Sequence, residues 1–180
     1  MTRLLRALQR LPLATALLLA PVAYCVHQIE ESSGGFRLWR ARHFAANNPL
    51  HPEQVFALLT GLGLLCILAF TIRRSRPTAA FALLFYLTMQ LHNVLYHVGA
   101  GLVFADYSPG TISAVVLYLP INVFLLHQAI REGYITSRLG TGIVLVAGVL
   151  YWSFELIGPV MIGVGFLSGA LAVLVAERRR

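Results

Sequence analysis

The stretch GTGIVLVAGVLYWSFELIGPVMIGVGFLSGALAVLVA, residues 140–176, decides the fold. It is 37 residues long and carries one charged residue, Glu155. As a single helix rising about 1.5 Å per residue it would run about 55 Å, against a bilayer core of about 30 Å. Gly158 and Pro159 stand near its middle, where such a pair ends a helix. The expected form is a tight hairpin of two spans, Gly140–Leu156 and Pro159–Ala176. One tilted, kinked helix is the alternative.

Four further apolar runs precede it, about Leu11–Val26, Val55–Ile72, Ala79–Phe104 and Thr111–Ile130. The expectation is an all-α polytopic transmembrane bundle of about six spans, five on the alternative, forming one domain over residues 1–180. Composition agrees: 58% of residues are hydrophobic and 12% charged, about half the share usual in soluble domains. Mean hydropathy is +0.74. The net charge of +7 does not indicate nucleic acid as a partner, because there is no lysine and the fourteen arginines cluster at the ends of apolar runs. With both termini cytoplasmic, Arg3, Arg6, Arg10, Arg73, Arg74, Arg76, Arg131, Arg138 and Arg178, Arg179 and Arg180 lie inside, and Arg37, Arg40 and Arg42 outside. That distribution obeys the positive-inside rule and requires an even number of spans. The first run has no small-x-small cleavage site before residue 27 and is read as a retained span. A multi-pass protein of a bacterial inner or plasma membrane is expected. Cys25 and Cys66 lie within apolar runs and read as buried, inert thiols.

Ionisable groups inside a membrane are costly and become candidates for function. HQIEE at residues 27–31 ends the first run, and the simplest reading is a helix leaving the membrane. Depth argues otherwise. Counted from Leu11, His27 lies about 24 Å and Glu31 about 30 Å along the helix. Asn93 and His97 lie about 21 and 27 Å from Ala79, and Glu155 about 22 Å from Gly140. Three helices thus bring polar groups to one level near the outer face. Glu30 and Glu31 follow His27 at i+3 and i+4, on one helix face, as His97 follows Asn93 at i+4. His92 points about 100° away and reads as a packing histidine, while His127 reads as interfacial. The segment from Gly34 to Gln54 interleaves Phe36, Trp39 and Phe44 with three arginines, which predicts an interfacial helix and then a turn at Asn47–Pro52.

Imidazole and carboxylate donors suit Zn, Fe(II) or Mn, so His27, Glu30, Glu31 and His97 are the candidate metal ligands. Glu31 is the candidate general base, and Asn93 and Tyr107 are candidates to stabilise charge developing on oxygen. How Glu30 and Glu31 divide ligand and base roles stays open. Tyr107 precedes Ser108-Pro109-Gly110, a tight turn that would hold its phenol at the outer mouth.

These residues resemble the HXXEE-domain membrane proteins. HQIEE matches the motif that names that family, LHNVLYHV at 91–98 resembles its Asn-x-x-x-His element, and YSPG at 107–110 resembles its Tyr-x-Pro-Gly element. The three occur in family order over about residues 14–130, leaving the spans at about 140–176 outside the resemblance. The family is of uncharacterised function, so the resemblance implies membrane-embedded proteins and a shared site without implying an activity.

The favoured reading is a metal-dependent membrane hydrolase of a lipid or another amphiphilic small molecule, acting at the outer interface. A redox iron enzyme that modifies lipids uses the same cluster. Haem held between His27 and His97 would leave both glutamates unexplained. A transporter or channel would use the carboxylates as a cation or proton site, and an assembly or sensory protein would not need the cluster at all. Self-association into a homo-oligomer is compatible with each.

Overall fold

The computed structural model describes residues 11–45 and 49–179. Arg3, Arg6, Arg10 and Arg180, and the start of the turn expected at Asn47–Pro52, lie outside the described residues. These residues build seven helices, with no strand among them. In chain order they are α1 (Leu13–Ser33), α2 (Phe36–His43), α3 (Pro52–Arg73), α4 (Arg76–Phe104), α5 (Thr111–Arg131), α6 (Ser137–Ile157) and α7 (Val160–Arg178). All but α2 are long and apolar enough to cross a membrane, so the protein is an all-helical membrane bundle of six spans. The α6–α7 break falls at Gly158, whose φ of +103° a side chain would strain, followed by Pro159. The hairpin is formed, and the single kinked helix is ruled out.

α1 shows how the sequence aims the site. Leu13, Ala16, Leu17, Ala20, Ala23, Tyr24 and His27 are buried at helical spacing, while Val22, Val26 and Ile29 face outward. The alanines let neighbouring backbones approach, which matters in a membrane, where packing rather than exclusion of water holds helices together. Pro21 has no N–H to continue the ladder. The chain tightens there, with the Ala20 N–H donating to the Leu17 carbonyl three residues back at 3.2 Å. The helix does not end at Val26, as the hydropathy boundary suggested; it runs on to Ser33 and carries HQIEE with it, His27 continuing the buried stripe.

Two spans widen locally into π-helix. In α5 this occurs over Ala114–Tyr118, just before Pro120, where a lost hydrogen bond must be absorbed. In α4 it occurs over Leu87–Leu91 without a proline. Gln90, inside that segment, donates to the Ala20 carbonyl of α1 at 2.8 Å and accepts from Asn122 of α5 at 3.0 Å.

The expected interfacial helix is α2, entered through Gly35 at φ +69°. It buries Trp39, leaves Leu38 76% exposed, and packs Phe36 and Trp39 with Tyr96, Phe104 and Tyr151. α7 lies at the edge with only Ile162 buried, its Phe166 ring 5.2 Å from that of Phe81. Cys66 is buried as expected, but Cys25 is exposed on the outer face of α1 and is not core filling.

Candidate metal centre

α1 and α4 carry His27, Glu31 and His97 to one point. Each offers a donor atom, and the three donors lie within 4.8 Å of one another. The Glu31 Oε1 stands 3.3 Å from the Nε2 of His27 and 3.3 Å from the Nε2 of His97. Both imidazoles are buried, at 2% and 0% exposure, yet neither Nε2 makes a hydrogen bond. A tetrahedral ion with bonds of about 2.0–2.1 Å separates its ligands by about 3.3–3.4 Å. The two N···O separations therefore fit a shared ion better than they fit a hydrogen bond. In the deprotonated form that metal ligation requires, two imidazoles and one carboxylate would carry a charge of minus one, which suits a divalent cation.

Each donor is held from behind. His27 Nδ1 lies 2.9 Å from the Ser113 Oγ, and that hydroxyl donates to the Gly110 carbonyl at 3.2 Å. The serine oxygen must then accept from Nδ1–H, which leaves the lone pair on Nε2, the tautomer a ligand needs. His97 Nδ1 lies 2.9 Å from the Ser108 Oγ. The second Glu31 oxygen accepts from the Gln28 amide at 2.6 Å. Such outer partners are the usual mark of imidazoles and carboxylates oriented toward a metal.

Glu30 does something else. Expected among the ligands, its carboxylate instead faces the start of α5, accepting from the backbone N–H groups of Gly110 (3.0 Å), Ile112 (3.1 Å) and Ser113 (2.7 Å). It is a cap supplied by a different helix, satisfying donors that the first turn cannot pair itself. Tyr107 donates its phenol to the same carboxylate at 2.5 Å, so its expected role toward a substrate oxygen gives way to this anchor. Loss of solvation and then the Glu30 carboxylate push that phenol up to about 12.

The YSPG turn is the other half of the clamp. Pro109 packs on Gly34, where an added Cβ would come within 2.6 Å. Gly110, at φ +107°, lies against both imidazoles, and a Cβ there would meet the Cε1 of His97 at 2.6 Å and of His27 at 2.8 Å. Ser108, Gly110, Ser113 and Gln28 are site residues that spacing alone does not reveal. The signal available was that Ser108 and Gly110 belong to the same short motif as Tyr107.

A cavity of about 530 Å³ opens beside the centre, lined by His27 and Glu31 and, among its apolar residues, by Leu59 and Met89. Asn93 also lines it. Its amide donates to the Tyr151 hydroxyl at 3.3 Å and its Oδ1 is buried without a partner, so it flanks the centre and is not among the three donors. Glu155 is bonded to Arg40 at 2.8 Å, and the guanidinium also donates to the Tyr96 hydroxyl at 3.3 Å. Burial opposes the charge of Arg40, but Glu155 and then Tyr96 outweigh it and hold the guanidinium above its ordinary value. His92 bonds the Val144 carbonyl at 2.9 Å, away from the centre, as a packing histidine does. Haem between His27 and His97 is not accommodated, since their rings are 5.1 Å apart with Glu31 against both.

No curated protein and no solved structure matches this chain. A family model described as a protein of unknown function with an HXXEE motif matches residues 18–125, the region that contains most of α1, the clamp and most of α5. The His-x-x-Glu-Glu of α1, the Asn-x-x-x-His of α4 and the YSPG turn meet at one centre, and the chain belongs to the HXXEE family.

Proposed function

We propose that His27, Glu31 and His97 hold a divalent transition metal and that the protein is a hydrolase of a lipid or other amphiphile lodged in the adjoining cavity. The observation that carries this reading is the set of three converging donors, each braced on its far side by a separate partner. Three protein ligands with room for a fourth is the arrangement of catalytic rather than structural zinc sites. The bound ion would supply Lewis-acid polarisation and a water of lowered pKa, about 7 for zinc. The chain's residues do the rest. Glu31 ligates through Oε1 and takes a proton through Oε2, combining the roles expected of two glutamates. Asn93 meets the substrate at the cavity end, and α2 roofs the site, with Phe36 5.1 Å from the His97 ring. On arginine placement the centre faces the outer side of a bacterial inner or plasma membrane.

Two histidines and a carboxylate are equally the ligand set of non-haem Fe(II) oxygenases, which keeps a lipid-oxidising reading as the alternative. Metal analysis of the purified protein decides the first point. About one ion per chain is expected in the wild type and a substoichiometric content in His27→Ala, His97→Ala and Glu31→Gln. Undiminished metal in all three variants, or none in the wild type after loading with zinc and iron, would remove the assignment. Zinc retained under oxygen favours hydrolysis, and iron with an oxygen-sensitive spectrum favours oxidation.

A further inference from the structure

The wall of the cavity states what kind of head group it receives. Tyr118 is 1% exposed and lies 4.5 Å from the His27 ring, and its hydroxyl has no hydrogen-bond partner. The Tyr24 hydroxyl and the Asn93 Oδ1 are also buried without partners, and all three residues line the same cavity as His27 and Glu31. A buried polar atom left unpaired costs about 1–3 kcal/mol, so three around one space are a demand that a ligand can meet. Their chemistry is neutral: two phenols that can donate, and a carboxamide oxygen that can only accept. Of the charged groups in this wall, Arg40 and Glu155 pair with each other at 2.8 Å, and Glu31, Arg37 and Glu53 also line it. Val55, Leu59 and Met89 add apolar side chains to the same lining.

We infer that the cavity takes a long-chain amide, an uncharged head offering one carbonyl acceptor and one N–H donor, with its chain along Leu59 and Met89. A phenol of Tyr118 or Tyr24 donates to the carbonyl, and Asn93 Oδ1 accepts from the N–H, which an ester could not supply. An anionic phosphate head with no proton to donate would leave the Asn93 acceptor unpaired. This deepens the proposed function and rests on it for placing the carbonyl next to the metal centre.

The test is titration calorimetry on the full chain in nanodiscs, with empty nanodiscs as blank, using octanamide, octyl acetate and octyl phosphate as probes. Octanamide is expected to bind about tenfold tighter than either other probe. Tyr118→Phe, which removes only a hydroxyl without a protein partner, and Asn93→Leu should each weaken octanamide about fivefold or more while leaving octyl phosphate unchanged. Equal or tighter binding of octyl phosphate overturns the inference, and so does octanamide binding indifferent to both substitutions. Metal content measured on the same samples separates the two readings. A protein without metal that still selects octanamide through Tyr118 and Asn93 loses the metal centre and keeps the amide site.

Discussion

Substitution of single side chains separates two glutamates that the motif places next to each other. Glu31→Gln should leave the metal content substoichiometric with little change in the fold. Glu30→Ala should keep the three donors but lower stability by about 2 kcal/mol, because charge-assisted bonds to the start of α5 are lost. Metal content and thermal midpoints, measured together, check both. A reversed pattern would exchange the two roles. Outside the membrane, His43 Nε2 lies 3.0 Å from the Asp106 Oδ2 and ties α2 to the segment before the YSPG turn. The bond from His43 holds the Asp106 carboxyl below the ordinary carboxylate range. A carboxyl lowered on folding adds stability above its unfolded pKa of about 4 and loses it as the pH falls through the folded value. The midpoint of the wild type should therefore exceed that of Asp106→Asn from about pH 6 down to about pH 5, and the two should converge below about pH 4. Parallel curves across that range would show that the pair contributes nothing.

For individual elements the informative piece is the YSPG turn, which braces one imidazole through Ser108, abuts both through Gly110 and locks Glu30 through Tyr107. Gly110→Ala leaves every donor in place but pushes a methyl group into two rings at a φ that disfavours it. It should reduce metal affinity by about tenfold to a hundredfold, the range seen when the support behind metal ligands is disturbed. A competition assay against a chelator measures it, and wild-type affinity would show that the turn does not position the ligands. This element also marks where the sequence stops being legible. Six spans, the interfacial helix and the depth of His27, Asn93 and His97 follow from hydropathy, Gly158-Pro159 and a helical rise, because those depend on local pattern. The division of Glu30 from Glu31 does not. It depends on which residue faces the start of α5, a contact between positions some eighty residues apart, and on a helix end that outlasts its apolar run. Arg40 with Glu155 escaped for the same reason, since their meeting requires α2 to fold back over α6.

On the scale of the whole molecule, that ion pair fastens the roof to the bundle, with side chains only 21% and 10% exposed. Arg40→Ala should cost about 3–5 kcal/mol by removing the guanidinium from a largely buried carboxylate, and the double replacement Arg40→Leu with Glu155→Leu should recover much of it. Thermal unfolding in nanodiscs checks the order, and a double variant no better than the single one would deny that the pair acts as a unit. The polar bond beneath the centre has a different consequence. Gln90 meets Ala20, and seven residues farther along each helix His97 approaches His27, so α1 and α4 run parallel with a constant offset of seventy positions at both levels. Two turns of helix, about 10 Å, separate the levels. Sliding one helix past the other would break the lower bond before it misaligned the upper pair. Alignment of the imidazoles is thus fixed from below by an amide that no ion touches. Under the proposed metal assignment, a chelator should leave amide hydrogen exchange in α1 and α4 almost unchanged, because the register is set without an ion.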